Sequence, residues 1–302
     1  MRSSGILMHL TSLPGPYGIG TLGSSALQFL EFLQQAGQRY WQILPLGPTG
    51  FGNSPYQSFS SFAGNPYLID PGLLEQEGLL TPQELGAFDW GDAARVDYAR
   101  LYLQRPALLQ LAFSRFDREN SSFLSFQEEK AFWLEDYALF MALKELHGGA
   151  PWTAWPHPLR TRARAAMDEA RQVLAEPILY QKFLQYLFFA QWKQLRRRAH
   201  EAGVRLIGDV PFYVPLDSAD VWSHPELFLL DRQLQPTMAA GVPPDAFSED
   251  GQLWGNPIYD WQRMKKDGYA WQLHRLQAAQ ELVDVVRLDH FRGRESYWAV
   301  PF

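Results

Sequence analysis

The sequence predicts an α/β protein in which parallel strands alternate with helices. Short apolar runs typical of buried strands recur along the chain, and segments with apolar residues at helical spacing lie between them. Residues that begin and end helices stand at the borders of these segments. An alternation of this kind favours right-handed units around a parallel sheet.

The first strand is predicted at residues 5–10 and the second at residues 40–46. Between them, residues 24–36 place small and apolar side chains on one helical face, with a serine pair at the start and Gly37 at the end. The connection is therefore predicted to be a helix that crosses between two parallel strands.

A third strand is predicted at residues 204–210 and a fourth at residues 282–288. A long helix that opens at Pro177 and ends at Gly203 precedes the third strand. A second helix, around residues 270–280, leads into the fourth. These elements complete the predicted alternation.

Two long segments interrupt this alternation. Residues 75–176 are predicted to form a mostly helical inserted subdomain, whereas residues 211–269, rich in Pro, Gly and Asp, are predicted to be a long ordered loop with little regular structure. Residues 1–74 then hold the first two strands, and residues 177–302 hold the third and fourth. Both segments follow carboxyl ends of strands, the face on which (β/α)8 barrels build their active sites.

The composition is that of a soluble globular protein. The chain has 302 residues, of which 46% are hydrophobic and 20% charged. Aromatic residues reach 15%, which suits a protein that stacks ring-shaped ligands as well as one with a large aromatic core. The net charge of −6 disfavours a nucleic acid or an anionic membrane surface as a partner.

Cysteine is absent, so disulfides and thiolate metal sites are excluded, and the seven histidines lack the spacing of metal ligands. No apolar run is long enough to form a signal-peptide core or to cross a bilayer. We therefore expect a cytoplasmic protein without a metal ion.

The end of the fourth strand carries an arginine and an aspartate two residues apart. Alternate side chains of a strand share a face, so Arg287 and Asp289 point the same way. A run that is apolar on both faces is typical of a buried parallel strand. The guanidinium favours the ionised form of the carboxylate, which suits a nucleophile. The alternative is a buried Arg–Asp pair that satisfies only itself.

Polar residues also follow the second and third strands. Asp209 lies at the end of the third strand. After the second strand, residues 47–67 mix small residues with aromatic ones, so main-chain amides can approach a ligand while Tyr56 or Phe59 stacks on a sugar ring. A rigid turn with buried aromatic residues is the alternative for this loop.

Residues 241–261 combine carboxylates, amides and an indole in one predicted loop. Gln252 and Asn256 offer donors and acceptors for hydroxyl groups, and Trp254 offers a flat face for a sugar ring. A solvated surface loop is the alternative.

The motif GIGTLG at residues 18–23 matches the dinucleotide-binding pattern GxGxxG. Two prolines separate it from the first strand, and no acidic residue ends the second strand to bind ribose hydroxyls. The motif is therefore interpreted as a tight turn, and no dinucleotide cofactor is predicted.

Long strings in the chain resemble those of the amylomaltases, the bacterial 4-α-glucanotransferases, a family of the α-amylase clan. The resemblance implies a cytoplasmic (β/α)8 TIM barrel with inserted subdomains, of which this chain would hold about the first four strands. It also implies an enzyme that cuts an α-1,4-glucan and transfers the released segment to another glucan. The strings are SLPGPYGIGTLG, WQILPLGPTG, NSPYQSFSSFAGNPYLID, IGDVPFYV, GVPPDAFSEDGQLWGNPIYDW and VVRLDHFRG.

The resemblance implies a role for each matched residue. Asp289 matches the catalytic nucleophile, and Arg287 matches the arginine that keeps it ionised. Tyr56 and Asp209 match residues that line the donor sugar subsite. The acceptor-side residues are, by the same match, Gln252 and Trp254 on a flexible loop, with Ser54 and Asn256 as weaker matches.

The implied reaction is a retaining double displacement, which uses a nucleophile and an acid/base carboxyl group about 5–5.5 Å apart. In the family the acid/base glutamate follows a fifth strand, so it is expected beyond residue 302, and the isolated chain is expected to be inactive. No cofactor is implied, and the implied partners are maltooligosaccharides and other α-1,4-glucans. An α-amylase-like hydrolase and a glucan-binding fragment without activity stay open as alternatives.

Overall fold

The computed structural model describes residues 2–50, 52–93, 95–246 and 248–302. Within them the strands are β1 (Gly5–Leu7), β2 (Tyr40–Gln42), β3 (Arg205–Val210), β4 (Met238–Val242), β5 (Gln252–Pro257), β6 (Val285–Leu288) and β7 (Trp298–Pro301). The α-helices are α1 (Ser24–Gln35), α2 (Pro71–Gln76), α3 (Pro82–Gly86), α4 (Tyr98–Arg115), α5 (Ser121–Leu146), α6 (His157–Arg160), α7 (Arg164–Val173), α8 (Ala175–Glu201), α9 (Ala219–Ser223), α10 (Trp261–Lys266) and α11 (Ala270–Leu282).

In the described chain, four strands form a parallel sheet in the order β1-β2-β3-β6. At one end of the sheet, Tyr40 of β2 lies between Gly5 of β1 and Arg205 of β3. At the other end, where the carboxyl ends of the strands lie, Asp209 of β3 is beside Arg287 of β6. The prediction of an α/β fold with a parallel sheet is confirmed.

Helices α1, α8 and α11 each precede the strand that the sequence pattern assigned to them. Helix α1 buries Ala26, Leu30 and Leu33 in the same apolar core as Trp41 of β2. It ends where Gly37 adopts a φ of 67°, in the left-handed region that favours glycine. The predicted crossover between the first two strands is therefore confirmed.

Helices α2 to α7 occupy most of the segment predicted to be helical. Asp97 caps α4 by accepting a hydrogen bond from the main-chain N of Arg100 at 3.1 Å, and Asn120 caps α5 through Phe123 at the same distance. The helical content of residues 75–176 is confirmed, whereas the borders of a separate subdomain stay a prediction.

Two buried glutamines of α8 hold the chain that follows β2. Oε1 of Gln185 accepts from the main-chain N of Gly64 at 2.7 Å, and its Nε2 donates to the oxygen of the same residue at 3.0 Å. Gln191 makes the corresponding pair of bonds to Asp70, at 2.7 and 3.2 Å. These bonds satisfy buried peptide groups that no strand pairs, and they fix the predicted sugar-binding loop at Gly64 and the chain just beyond it at Asp70.

Residues 211–269 contain more regular structure than predicted. They hold α9, α10 and the antiparallel pair β4 and β5, and β7 joins β4 in a sheet of order β5-β4-β7. The prediction of a loop with little regular structure is wrong, because main-chain pairing satisfies donors and acceptors that a loop would leave to water. The four predicted strands are those of the parallel sheet, and β4, β5 and β7 form a second sheet that the sequence analysis did not predict.

Strand β6 differs from its prediction in its surroundings. It pairs with β3, Val285 is 40% exposed, and Arg287 is also exposed, while Val286 and Leu288 are half-buried. The prediction of a strand buried on both faces is wrong for this chain, because β6 lies at an edge of the described sheet.

The glycines of residues 18–23 pack against the protein's own chain. A side chain at Gly20 would collide with the main-chain oxygen of Leu10, and one at Gly23 would collide with the carboxylate of Asp70. The tight-turn interpretation is therefore confirmed by close approach of the chain to itself.

Within the residues that the structure describes, no helix is long and apolar enough to cross a membrane. In the same part of the chain, no three histidine or carboxylate side chains are grouped as a metal site would require. The cytoplasmic location stays a prediction.

Candidate active site

Strand pairing brings the predicted catalytic side chains together at the carboxyl edge of the parallel sheet. Asp209 and Arg287 lie opposite each other on β3 and β6. Nη1 of Arg287 donates to Oδ1 of Asp209 at 2.6 Å, and its Nη2 lies 2.9 Å from Oδ1 of Asp289. One guanidinium therefore bridges two carboxylates, and Arg287 and Asp289 share a face as predicted.

Tyr56 reaches the same cluster from the loop after β2. Its Oη donates to Oδ2 of Asp209 at 2.7 Å. The loop turns at Gly52 and Asn53, whose φ angles are 89° and 56°. Just beyond the turn, Oγ of Ser54 accepts from the main-chain N of Tyr56 at 3.3 Å. Ser54 thus supports the loop that carries Tyr56.

The side chains of this cluster differ in exposure and charge. The Asp209 side chain is 2% exposed, whereas that of Asp289 is 34% exposed. Burial, together with the hydrogen bond to Asp209, raises the pKa of Tyr56 to about 12, so its hydroxyl stays protonated. The hydrogen bond to Asp209 raises the pKa of Arg287 above its ordinary value, so the guanidinium stays charged.

The predicted acceptor-side residues lie on a strand. Gln252, Trp254 and Asn256 alternate along β5 and so share a face, and Nε1 of Trp254 donates to Oε1 of Gln252 at 3.1 Å. Gln252 is exposed, and Asn256 is buried. The flexible loop implied by the resemblance is thus a β-hairpin here, because β4 pairs with this segment.

Trp254 connects the hairpin to the cluster of Tyr56, Asp209, Arg287 and Asp289, here called the catalytic cluster because its members were predicted as site residues. Its ring lies 5.4 Å from that of His290, the residue after Asp289. It also lies 6.1 Å from the ring of Tyr213, in the chain after β3, and both contacts are edge-on. The structure therefore brings Trp254 to the site and leaves Gln252 exposed beside it.

Two residues that the sequence analysis did not single out lie in the site. His290 has a φ of 44° and a ψ of 47°, uncommon for a residue other than glycine. Nε2 of His290 and Oη of Tyr213 are buried without a hydrogen-bond partner among the described residues. His290 stands in the string VVRLDHFRG and Tyr213 in the string IGDVPFYV. No sequence pattern, however, indicates that their polar atoms lack partners.

A buried clamp holds the chain after β3. Arg275 of α11 donates from Nη1 to the main-chain oxygen of Phe212 at 3.0 Å and to Oη of Tyr259 at 3.2 Å. Tyr259 in turn donates to the oxygen of Phe212 at 2.8 Å. The Phe212 ring packs 5.7 Å from His290, so the chains that follow β3 and β6 are held against each other.

A cavity of about 90 Å³ adjoins the Tyr56–Asp209 pair. Tyr213 and Ser61 also line it. The volume is enough for several water-sized groups. The cavity therefore combines the two residues predicted for the donor sugar with further polar atoms.

Known proteins are similar to this chain in sequence and in fold. The chain belongs to the 4-alpha-glucanotransferase family, whose pattern matches residues 8–302. The 4-alpha-glucanotransferase of Thermus thermophilus is 53% identical over 305 residues, which cover 99% of this chain and 60% of that protein. That of Aquifex aeolicus is 47% identical and is covered to 62%, with 100% of this chain matched. The chain thus spans about three fifths of these relatives.

Solved structures of two amylomaltases are similar to this chain. The amylomaltase from Streptococcus agalactiae in complex with acarbose matches with a TM-score of 0.96 and 44% identity, over 100% of this chain and 62% of that one. The amylomaltase from Corynebacterium glutamicum, 19% identical, shares the fold with a TM-score of 0.77 over 99% of this chain and 42% of its own. The predicted resemblance to the amylomaltases is confirmed.

Proposed function

We propose that this chain carries the nucleophile of a 4-α-glucanotransferase, which moves a segment of an α-1,4-glucan to a new 4-hydroxyl. The proposal depends on one observation above all: Arg287 bridges Asp209 and Asp289 at the carboxyl edge of a parallel sheet. That edge is where (β/α)8 barrels hold their catalytic residues. We propose on the same ground that the four parallel strands belong to such a barrel.

In the proposed reaction, Asp289 is the nucleophile. Its side chain is 34% exposed, so a substrate can reach the carboxylate, and Arg287 holds one oxygen at 2.9 Å. The other oxygen attacks the anomeric carbon of the donor glucan, and the bond from that carbon to the glycosidic oxygen breaks. The departing oxygen keeps the electron pair and takes a proton from an acid.

Asp209 is a poor candidate for that acid. Its side chain is buried, and both of its oxygens already accept hydrogen bonds, from Tyr56 and from Arg287. Following the family resemblance, we propose that a glutamate in the part of the relatives that this chain does not span donates the proton. The same group then receives the proton of the acceptor 4-hydroxyl, whose oxygen attacks the anomeric carbon and releases Asp289.

Transfer competes with hydrolysis at the second step. An acceptor sugar wins over water when it is held in attack geometry and water is kept out. Trp254 is suited to hold the acceptor because its indole packs edge-on against His290, next to the nucleophile, and is only half-buried. We propose that Trp254 stacks on the acceptor sugar and that Gln252 binds one of its hydroxyls, while Tyr56 and Asp209 line the donor subsite. The matches of Ser54 and Asn256 stay weaker proposals.

A chimaera tests the function. Residues 1–302 would be joined to the portion of the Thermus thermophilus relative that lies beyond the matched region, since the two proteins are 53% identical over that region. Incubated with maltotriose, the chimaera is expected to form glucose together with glucans longer than maltotriose. Asp289→Asn in the same chimaera is the matched control.

The product pattern separates the candidate activities. Longer glucans that disappear with Asp289→Asn support the transferase. Shorter products alone would instead support a hydrolase of the α-amylase kind. A folded chimaera that binds maltotriose without converting it would contradict the assignment of Asp289 as a nucleophile.

A further inference from the structure

Two tyrosines stack beside the catalytic cluster, and they differ in the pairing of their hydroxyls. The rings of Tyr213 and Tyr259 lie 6.2 Å apart with an interplanar angle of 16°, and the residues are 6% and 1% exposed. Oη of Tyr259 donates to the oxygen of Phe212 and accepts from Arg275. Oη of Tyr213 is buried and has no partner among the described residues.

An unpaired buried hydroxyl destabilises a fold, because the group loses its hydrogen bonds to water and gains none in exchange. Phenylalanine would fill the same volume without that cost. Burial, with smaller contributions from Tyr297 and Tyr259, raises the pKa of Tyr213 above its ordinary value, so the group is a hydrogen-bond donor at neutral pH. A buried donor that the fold leaves unpaired is a candidate for a role in ligand binding.

The Tyr213 side chain lies next to the residues that are proposed to bind the glucan. The residue lines the same cavity as Tyr56 and Asp209, which are proposed to hold the donor sugar. Its ring also packs edge-on against that of Trp254, which is proposed to hold the acceptor, at a centroid distance of 6.1 Å. His290, whose Nε2 is also unpaired among the described residues, lies 6.4 Å from the Tyr213 ring.

We propose that the Tyr213 hydroxyl is a further substrate-binding group, which donates a hydrogen bond to a hydroxyl of the α-glucan between the donor and acceptor subsites. The inference rests on the glucanotransferase function proposed above and assigns this residue to its site. The hydroxyl is covered in the structure. Trp254 is the half-buried neighbour whose movement would uncover it when the glucan binds.

The matched pair of tyrosines makes a controlled experiment. Tyr213→Phe and Tyr259→Phe each remove one oxygen from adjacent stacked rings, but only the second removes a hydrogen bond within the fold. Both variants would be made in the 302-residue chain and in the chimaera. Binding of maltotetraose and of acarbose would be measured by isothermal titration calorimetry, and thermal unfolding would be recorded without ligand.

The two variants are expected to show opposite effects. Tyr213→Phe should weaken glucan binding roughly tenfold, the effect of one lost hydrogen bond, while its Tm without ligand stays equal to that of the wild type or rises. Tyr259→Phe should lower the Tm by roughly 2–5 °C, because the clamp on Phe212 loses a donor, and should change affinity by less than about threefold. A hydroxyl with a merely structural role would not give this crossed pattern.

Each other outcome contradicts a stated part of the argument. If Tyr213→Phe binds both ligands as tightly as the wild type, the hydroxyl does not contact them, and the inference fails while the proposed function stands. If Tyr213→Phe lowers the Tm as much as Tyr259→Phe, its hydroxyl is paired within the fold, and the inference fails. If neither the unsubstituted 302-residue chain nor the unsubstituted chimaera binds either ligand, the proposed function fails and the inference fails with it.

Discussion

The ends of β3 and β6 each present an aspartate to the same guanidinium, yet the two carboxylates have different surroundings. The side chain of Asp209 is 2% exposed and accepts hydrogen bonds from Tyr56 and Arg287, one on each oxygen. Asp289 is 34% exposed and meets Arg287 through one oxygen. Asp209 has its acceptors occupied, whereas Asp289 keeps an oxygen that a substrate can approach.

The difference follows from the chain segments around each aspartate. The carboxyl end of β3 is covered by the loop that carries Tyr56, whose hydroxyl occupies one oxygen of Asp209. After β6, the chain leaves Asp289 through the left-handed conformation of His290, and the Asp289 side chain stays partly exposed. Residue type alone therefore does not decide which of the two aspartates keeps an accessible oxygen.

The largest expected effect concerns Asp289. In the chimaera, Asp289→Asn should lower the rate of glucan transfer by about a thousandfold or more, because an amide oxygen is a poor nucleophile. Its unfolding should change little, since the ion pair with Arg287 is partly exposed and such pairs contribute about 0–1 kcal/mol. Initial rates with maltotriose and urea-induced unfolding would be measured together. A loss of activity that follows a loss of folded protein would contradict the assigned role.

Substitution of Asp209, unlike that of Asp289, should lower the stability of the fold. In the 302-residue chain, Asp209→Asn is expected to lower the free energy of unfolding by about 2–4 kcal/mol. The amide NH2 of the asparagine would face one of the two donors from which the carboxylate now accepts a hydrogen bond. Urea-induced unfolding of Asp209→Asn and Asp289→Asn, measured side by side, tests the comparison directly. Equal destabilisation by the two substitutions would remove the distinction between the two carboxylates.

Asp220 sharpens the comparison, because it is buried like Asp209 but accepts from a main-chain N–H instead of a guanidinium. It is 4% exposed, and Oδ2 accepts from the N of Ser61 at 2.7 Å. Burial raises its pKa to about 6, although the charge of Arg275 acts in the other direction. The folded state therefore binds the Asp220 proton more tightly than the unfolded state does.

The sign of the resulting pH dependence follows from that pKa. The stability that the folded state gains from holding protonated Asp220 is fully present below about pH 4, the pKa of this residue in the unfolded chain. That stability is lost as the pH rises through about 6, its pKa in the folded state. Asp220→Asn should thus match the wild type near pH 4 and exceed its free energy of unfolding at pH 8 by at most about 3 kcal/mol. Urea-induced unfolding at both pH values measures this difference. A variant less stable than the wild type at pH 8 would mean that the charge attracts Arg275 more strongly than burial opposes it.

Tyr56 gives the smallest expected effect. Tyr56→Phe removes the 2.7 Å hydrogen bond to Asp209 and should lower the free energy of unfolding by about 1–2 kcal/mol. Combined with Asp209→Asn in a double-mutant cycle, the two effects should be less than additive, because both remove the same bond. Strict additivity would show that Tyr56 and Asp209 act independently.

Much of the fold could be predicted from local patterns. The crossover helices, the parallel strands before Asp209 and Asp289, and the helical content of residues 75–176 follow from apolar periodicity and capping residues, which act over a few neighbours. The shared face of Arg287 and Asp289 follows from strand geometry alone. The family membership follows from long strings that the relatives share.

Only the tertiary structure decided how those residues meet. The bridge from Arg287 to Asp209 depends on the register of β3 and β6 and joins residues 78 positions apart in the chain, and the hydrogen bond from Tyr56 to Asp209 spans 153 positions. The hairpin around Trp254 depends on which strands pair, and the lack of a partner for the Tyr213 hydroxyl among the described residues depends on what surrounds it. Local preference carries no information about partners so far away, because hydrogen bonding and burial are settled by packing and not by sequence spacing.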